Sequence, residues 1–547
     1  MASSRTRNRK NHNANSRKNG ESGWNGAKAG FAANIPCIGN QPMTDHSNKS
    51  YGEAVKSSTL IGVSSLLNVC FSIVRAKAMA VLLGPAGVGL LGLYGSIADL
   101  TRSAAGLGIN SSGVRQIAEA VGTGDNHRIA CTVTALRRVA LFTGALGSFL
   151  LLIFCKQASQ LTFGDDRHAG QVALLALAVF FTDISAAQGA LVQGMRRIAD
   201  LARMNVLGAF YGTVFSIPII YLYGEEGVVP SLVCVAGMGI MTSWWYARKI
   251  KVRAVAITLR QLANETSALL KLGIVFMASG LFAMGAAYLS RTLILRMISV
   301  EASGFYQAAW ALSGIYVGFI LQAMSADFYP RLTAVANNNN ECNRLVNEQA
   351  EVGLLMAGPG LLATLTFAPL IIHFFYSSKF EPAVEILRWN CLGMLLQVSS
   401  WPMGFIVLAK GERKIYFWSE LASYVFYVAM VWLCVRAFGL KGAGIAFFIL
   451  YAAHWIGIWA IVHRLSGYRW SAANKKLSLL FGSLISVFFL AWYVLPHRIV
   501  GIGGTAITLL VGIQSLKTLC ALVPHEQFPR PVQHLLFQLR LSKPNIP

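Results

Sequence analysis

The chain is 547 residues long, 55% hydrophobic and only 13% charged, with a formal net charge of +24. Its mean hydropathy is +0.52, whereas soluble domains carry about 25% charged residues, so a soluble globular enzyme is excluded. In a soluble protein such a charge would point to nucleic acid; here it gathers in the N-terminal tail and in alternate loops, which is the pattern of membrane topology.

Residues 1–56 are rich in Asn, Ser, Arg, Lys and Gly. They lack the apolar stretch of a cleavable signal peptide and cannot build a core, so a disordered, basic, cytoplasmic tail is expected. The run Ser4–Lys18 could meet anionic lipid headgroups or simply fix topology.

A hydrocarbon core about 30 Å thick takes roughly 20 apolar residues per helix. About fourteen stretches meet that need. The first six are Ser58–Leu82, Val88–Gly108, Val139–Cys155, Val172–Val192, Met204–Leu222 and Val228–Tyr246. The next six are Leu272–Leu293, Gly304–Met324, Val352–Ile372, Ile386–Leu408, Phe417–Val435 and Gly442–Val462. A last pair covers Leu477–Val494 and Val500–Leu522. Lys and Arg accumulate in cytoplasmic loops. With the tail inside, the even-numbered loops should be basic. They are: Arg196, Arg197 and Arg203 lie in the fourth, Arg248, Lys249 and Lys251 in the sixth, and Lys410, Arg413 and Lys414 in the tenth. Both termini are therefore expected in the cytoplasm. The external loops are short, which leaves no room for an external catalytic domain.

The chain also repeats. Arg75 and Arg291 stand 216 residues apart, as do Arg115 and Arg331. Six spans per half is an even number, so the halves share one orientation, and transporters built on parallel repeats bind substrate between them. The expected architecture is all-α and polytopic, with two six-helix bundles and two C-terminal helices. The expected domains are a tail at 1–56, bundles at 57–250 and 272–465, a cytoplasmic linker at 251–271, an extra helix pair at 476–523 and a cytoplasmic tail at 524–547.

A charge at membrane depth costs at least about 2.5 kcal/mol, so it normally faces a cavity or a partner. Arg75 and Lys77 lie in the first span, Arg102 in the second, and Arg291 and Arg296 in the matching place of the second half. Arg binds phosphate bidentately and Lys binds it as a point charge, so these five suit a pyrophosphate-like anion. Snorkelling to the interface is the competing reading for Lys77 and Arg296. Asp99 shares a helix face with Arg102. Asp183 and Asp327 are further carboxylates at or near membrane depth, and such groups carry protons in driven transporters; Asp327 could instead pair with Arg331. The nine cysteines are odd in number and form no CxxC pair, so neither a disulfide framework nor a metal site is expected. No Walker A pattern occurs, and no cofactor is expected.

Several landmarks resemble the polysaccharide flippases of the multidrug/oligosaccharidyl-lipid/polysaccharide exporter superfamily, of the O-antigen translocase type. They are Lys77 with Leu83-Gly84-Pro85-Ala86-Gly87-Val88-Gly89, Gly106-Leu107-Gly108-Ile109-Asn110, Gly113-Val114-Arg115 and Gln193-Gly194-Met195-Arg196. Tyr288 with Arg291, Phe328-Tyr329-Pro330-Arg331-Leu332 and Ser378-Lys379-Phe380 complete the series. The resemblance implies movement of undecaprenyl-pyrophosphate-linked oligosaccharide across a bacterial inner membrane by alternating access, for O-antigen or exopolysaccharide synthesis. It also implies Lys77 and Arg291 as cavity cations. Expected partners are the lipid-linked glycan, membrane lipids and a polysaccharide polymerase with its chain-length machinery, with no nucleic acid. Alternatives are a drug/cation antiporter or a lipid II flippase of the same superfamily, or a membrane glycan polymerase.

Overall fold

The computed structural model describes residues 45–250, 252 and 259–522. The expected C-terminal tail, residues 1–44 of the expected N-terminal tail, and residues 251 and 253–258 of the basic linker lie outside them, whereas residues 45–56, expected within the disordered tail, belong to a helix. The chain divides into Met1–Lys56 and Ser57–Pro547, and the architecture that follows is that of the second unit.

The first long element is α1 (Asp45–Ala105), broken at Gly84, whose φ of 68° leaves the helical region. Glycine reaches that conformation without a Cβ clash, and Pro85 next to it has no N–H for the preceding turn. The break makes two limbs of what would otherwise be one rod. Then come α2 (Ile109–Thr123), α3 (Asn126–Ile153), α4 (Cys155–Thr162), α5 (Ala169–Gly194), α6 (Ile198–Tyr223) and α7 (Val228–Ala247). The second series is α8 (Leu259–Met297), α9 (Val300–Ala334), α10 (Asn339–Thr366), α11 (Ala368–Phe375), α12 (Ala383–Ala409), α13 (Arg413–Phe438) and α14 (Gly442–Ser466). The chain ends on α15 (Ala472–Val494) and α16 (His497–Leu522).

The two series match in detail. α3 has 28 residues and starts on Asp125, whose carboxylate accepts from the His127 and Arg128 N–H groups. α10 also has 28 residues and starts on Asn338, whose side chain accepts from Asn340 and Glu341. Each stops at a phenylalanine, Phe154 or Phe367, and each is followed by a helix of eight residues. The second of these breaks turns the chain by 80°. α6 and α13 both run 26 residues into a one-turn 3₁₀ helix.

Among the described residues, nine helical stretches are long and apolar enough to cross a membrane, or ten with the bent pair counted as one. Three of them run 43, 50 and 54 residues. A single crossing takes about 20 residues, so each of these holds more than one. The helices outrun the apolar stretches at their basic ends. Arg128, Arg137 and Arg138 lie within α3, and Arg115 lies within the amphipathic α2. α8 begins at Leu259, inside the expected linker.

In the first half α5 packs against α2, α3 and α7; in the second, α12 packs against α9, α10 and α14. The final pair, α15 and α16, packs on α10. Bulky side chains such as Phe142, Phe149, Trp418, Leu479 and Val494 point outward. Lipid accepts them at no cost, because its chains are as apolar as the core.

Candidate functional site

Polar groups converge inside the first half. The first limb of α1 brings Ser72 and Arg75, and its second limb brings Asp99 and Arg102. α5 contributes Thr182 and Ser185, α6 contributes Asn205, and α7 contributes Gly239 and Thr242. These residues line three pockets of about 310, 270 and 340 Å³, all of which include Ser185. Arg102 pairs with Asp99 at 3.5 Å, and both side chains stay about half exposed. A guanidinium has five N–H donors, so this pairing leaves most of them free for a ligand. Arg75 lines the same region, half-buried.

Asp183 sits behind this lining, 3% exposed. Neither carboxylate oxygen has a hydrogen-bond partner among the described residues. Gly144 and Gly106 leave the space around it: a Cβ on Gly144 would lie 3.4 Å from the Asp183 Cβ, and one on Gly106 would lie 3.8 Å from its Oδ1. Arg102 is the cation whose charge acts on it.

The remaining cations sit elsewhere. Arg291 on α8 donates through Nε to Gln307 at 2.8 Å and through Nη1 to the Ala287 carbonyl at 3.0 Å. Gln307 packs against Gly92 of α1, where a Cβ would stand 3.0 Å from its Oε1. Arg291 therefore lies near the seam between the halves. Lys77 donates to the His373 carbonyl of α11 at 2.9 Å. Arg296 donates to backbone carbonyls at the end of α4. The single cluster of five cations expected from sequence is thus divided in this structure: Arg75 and Arg102 share one cavity region, Arg291 stands at the seam, and Lys77 and Arg296 each reach a short helix of the opposite half. The side chain of Asp327 lies outside the described residues.

The halves meet main chain to main chain at both ends of the second limb of α1. A Cβ on Gly89 would fall 2.3 Å from the Val300 carbonyl oxygen, and one on Gly304 would fall 1.9 Å from that of Pro85. At the other end, a Cβ on Gly108 would fall 2.1 Å from the Gly273 oxygen, and one on Gly273 would fall 2.2 Å from that of Leu107. Only glycine allows such approaches.

Sequence reasoning missed Ser185 and Asn205. Small polar residues do not stand out within apolar runs, because a hydroxyl can bond its own helix backbone. It also missed a polar seam in the second half. There the Tyr306 and Tyr427 hydroxyls lie 2.9 Å apart, Asn390 donates to Ser313 at 3.0 Å, and Ser423 lies 3.2 Å from the His454 Nδ1.

Residues 78–385 match the family model described as polysaccharide biosynthesis protein. The chain is 23% identical over 407 residues to the lipid III flippase of Escherichia coli K12, covering 73% of this chain and 95% of that protein. It is 23% identical over 384 residues to a putative O-antigen transporter of Shigella flexneri, covering 67% and 87%. Among solved structures, it resembles an inward-facing MATE-family multidrug resistance transporter of the MOP superfamily with a TM-score of 0.61, at 18% identity, over 75% of this chain and 96% of that one. It also resembles a lipid II flippase in an inward-closed conformation with a TM-score of 0.60, at 13% identity, over 85% and 98%. These two structures share its fold, an all-helical, polytopic membrane architecture. The family match spans more than half of the sequence, and the chain belongs to the polysaccharide biosynthesis protein family.

Proposed function

We propose that this chain is a flippase, not an enzyme, that moves a polyprenyl-pyrophosphate-linked oligosaccharide between the leaflets of a bacterial inner membrane. The observation that carries this reading is the Arg75–Arg102 cavity region beside Ser185 and Asn205. A pyrophosphate entering hydrocarbon alone would pay a large desolvation cost. Two guanidiniums offering bidentate donors offset that cost and spare it the lipid. Arg291 at the seam is the anion's contact in the second half. The named relatives, a lipid III flippase and a putative O-antigen transporter, support the substrate class. The lipid tail stays in the bilayer while the two bundles, 57–250 and 272–465, rock against each other.

The basic even-numbered loops support a topology with both termini in the cytoplasm. A polysaccharide polymerase and its chain-length machinery are the proposed consumers of the product. Asp183 is the proposed coupling carboxylate, with Asp99 and Asp327 as further candidates.

The test is leaflet transfer of a pyrophosphate-linked polyprenyl oligosaccharide in proteoliposomes. Wild type should transfer it, while Arg75→Ala, Arg102→Ala and Arg291→Ala should each slow transfer by at least about tenfold, the loss of one charge-assisted contact. A protein that moves no glycolipid but exchanges a cationic dye for protons would be a drug antiporter instead.

A further inference from the structure

Two of the cations expected in the cavity point away from it, and they do so in matching ways. Arg296 belongs to α8 of the second half. Its Nε donates to the Thr162 carbonyl at 3.1 Å and its Nη2 to that of Leu161 at 3.1 Å, with a further contact to Gln160. These are the last carbonyls of α4, in the first half. Tyr288, also on α8, places its hydroxyl 2.8 Å from that of Thr162. Lys77 belongs to α1 of the first half. Its Nζ donates at 2.9 Å to the carbonyl of His373, in the last turn of α11 in the second half.

The last four carbonyls of a helix lack intrahelical partners, and the helix end carries a partial negative charge. A cation placed there satisfies both. α4 and α11 occupy the same place in the two series, each an eight-residue helix behind a 28-residue one. Each half therefore lends one cation to cap the short helix of the other. Both caps lie at the end of the bundle where Gly89 meets Val300 and Pro85 meets Gly304. Gly164 makes room for one of them: a Cβ there would stand 2.6 Å from the Arg296 Nη1.

We propose that Lys77 and Arg296 form a reciprocal latch that holds this end of the transporter shut, and that they act in gating rather than in holding the anion. The inference rests on the alternating-access reading above, whose topology puts this end on the outside. Opening the end must break both caps and return the carbonyls and the cations to water.

The experiment places a spin-labelled p-acetylphenylalanine at Asp166 and another at Lys379. Both positions are exposed, and they flank α4 and α11. This leaves the natural cysteines untouched. Distances are read by pulsed electron resonance in lipid nanodiscs. Wild type should give mainly the short, closed distance. Lys77→Ala and Arg296→Ala should each raise the open population roughly tenfold, the loss of one charge-assisted cap. Gly164→Ala should do the same for the Arg296 cap while leaving both cations in place. Lys77→Arg should stay closed. Unchanged distances in both alanine variants would overturn the latch, and lost glycolipid transfer in the same variants would return the two cations to substrate binding. If wild type transfers no glycolipid at all, the flippase reading fails, but the distance measurement still decides the latch.

Discussion

Asp183 offers a perturbation whose effects on stability and on transport should run in opposite directions. The residue is 3% exposed, and both carboxylate oxygens lack a partner among the described residues. A buried polar group without a hydrogen bond costs about 1–3 kcal/mol, and an ionised one costs several kcal/mol more. Leucine has the same branched outline with no polar atom, and the glycines at 106 and 144 leave it room. Asp183→Leu should therefore raise the unfolding free energy by about 1–3 kcal/mol, because it removes that penalty. Asp183→Asn keeps a polar head and should change stability by less than about 1 kcal/mol. Denaturant unfolding in mild detergent measures both. Glycolipid transfer with and without an imposed pH gradient provides the second readout: both variants should transfer at equal rates in the two conditions, while wild type should respond to the gradient. A loss of more than about 2 kcal/mol in both variants would mean that the carboxylate holds the fold together, and the reasoning would be wrong.

Three further outcomes can be checked. Gly273→Ala puts a methyl 2.2 Å from the Leu107 oxygen and should cost about 1–3 kcal/mol by overpacking, with looser closure at that end, read by cross-linking of α2 to α8. Asn347 accepts from Tyr468, Ser471 and Asn474 and donates to Asn343 and Arg469; Asn347→Ala should cost about 2–4 kcal/mol through the partners it strands and expose the α14–α15 turn to protease. Ser299 caps α9 and, with a backbone N–H, holds the Glu301 carboxyl below its ordinary range. That contribution is fully present above the unfolded carboxylate value and is lost as pH falls through the lower folded one. Ser299→Ala should weaken the cap by about 1 kcal/mol and move the Glu301 titration, followed by NMR, back up.

Much of this architecture was legible in the residues themselves. Gly84-Pro85 announces the break between the first two crossings, because one residue tolerates positive φ and the next cannot continue a helix. The long apolar stretches fall on helices, and Arg75 and Arg102 stand out as cations in hydrocarbon. The bend between α10 and α11 was not legible. Val352–Ile372 carries no charged residue, so hydropathy reads one crossing where the chain turns by 80° at Phe367. The destinations of Lys77 and Arg296 were hidden for a related reason. Their partners are backbone carbonyls, which every residue carries, so no side-chain pattern marks them. Asn347 sits in a polar stretch among other asparagines, and only the fold shows that it ties α10 to α15.

The second limb of α1 touches the other half at Gly89, and the turn just past its end touches it again at Gly108. At 1.5 Å per residue the helix between them, Gly89 to Ala105, is roughly 24 Å long, most of the ~30 Å thickness of the hydrocarbon. The limb is thus a lever laid across the bilayer with a bare fulcrum at either tip. A rotation of roughly 20° about one tip would part the other by about 8 Å over such a length. Each tip serves as hinge while its opposite serves as door, so the same contact that permits opening on one side bears the load of closure on the other. A passage built this way cannot gape at both faces without the halves separating.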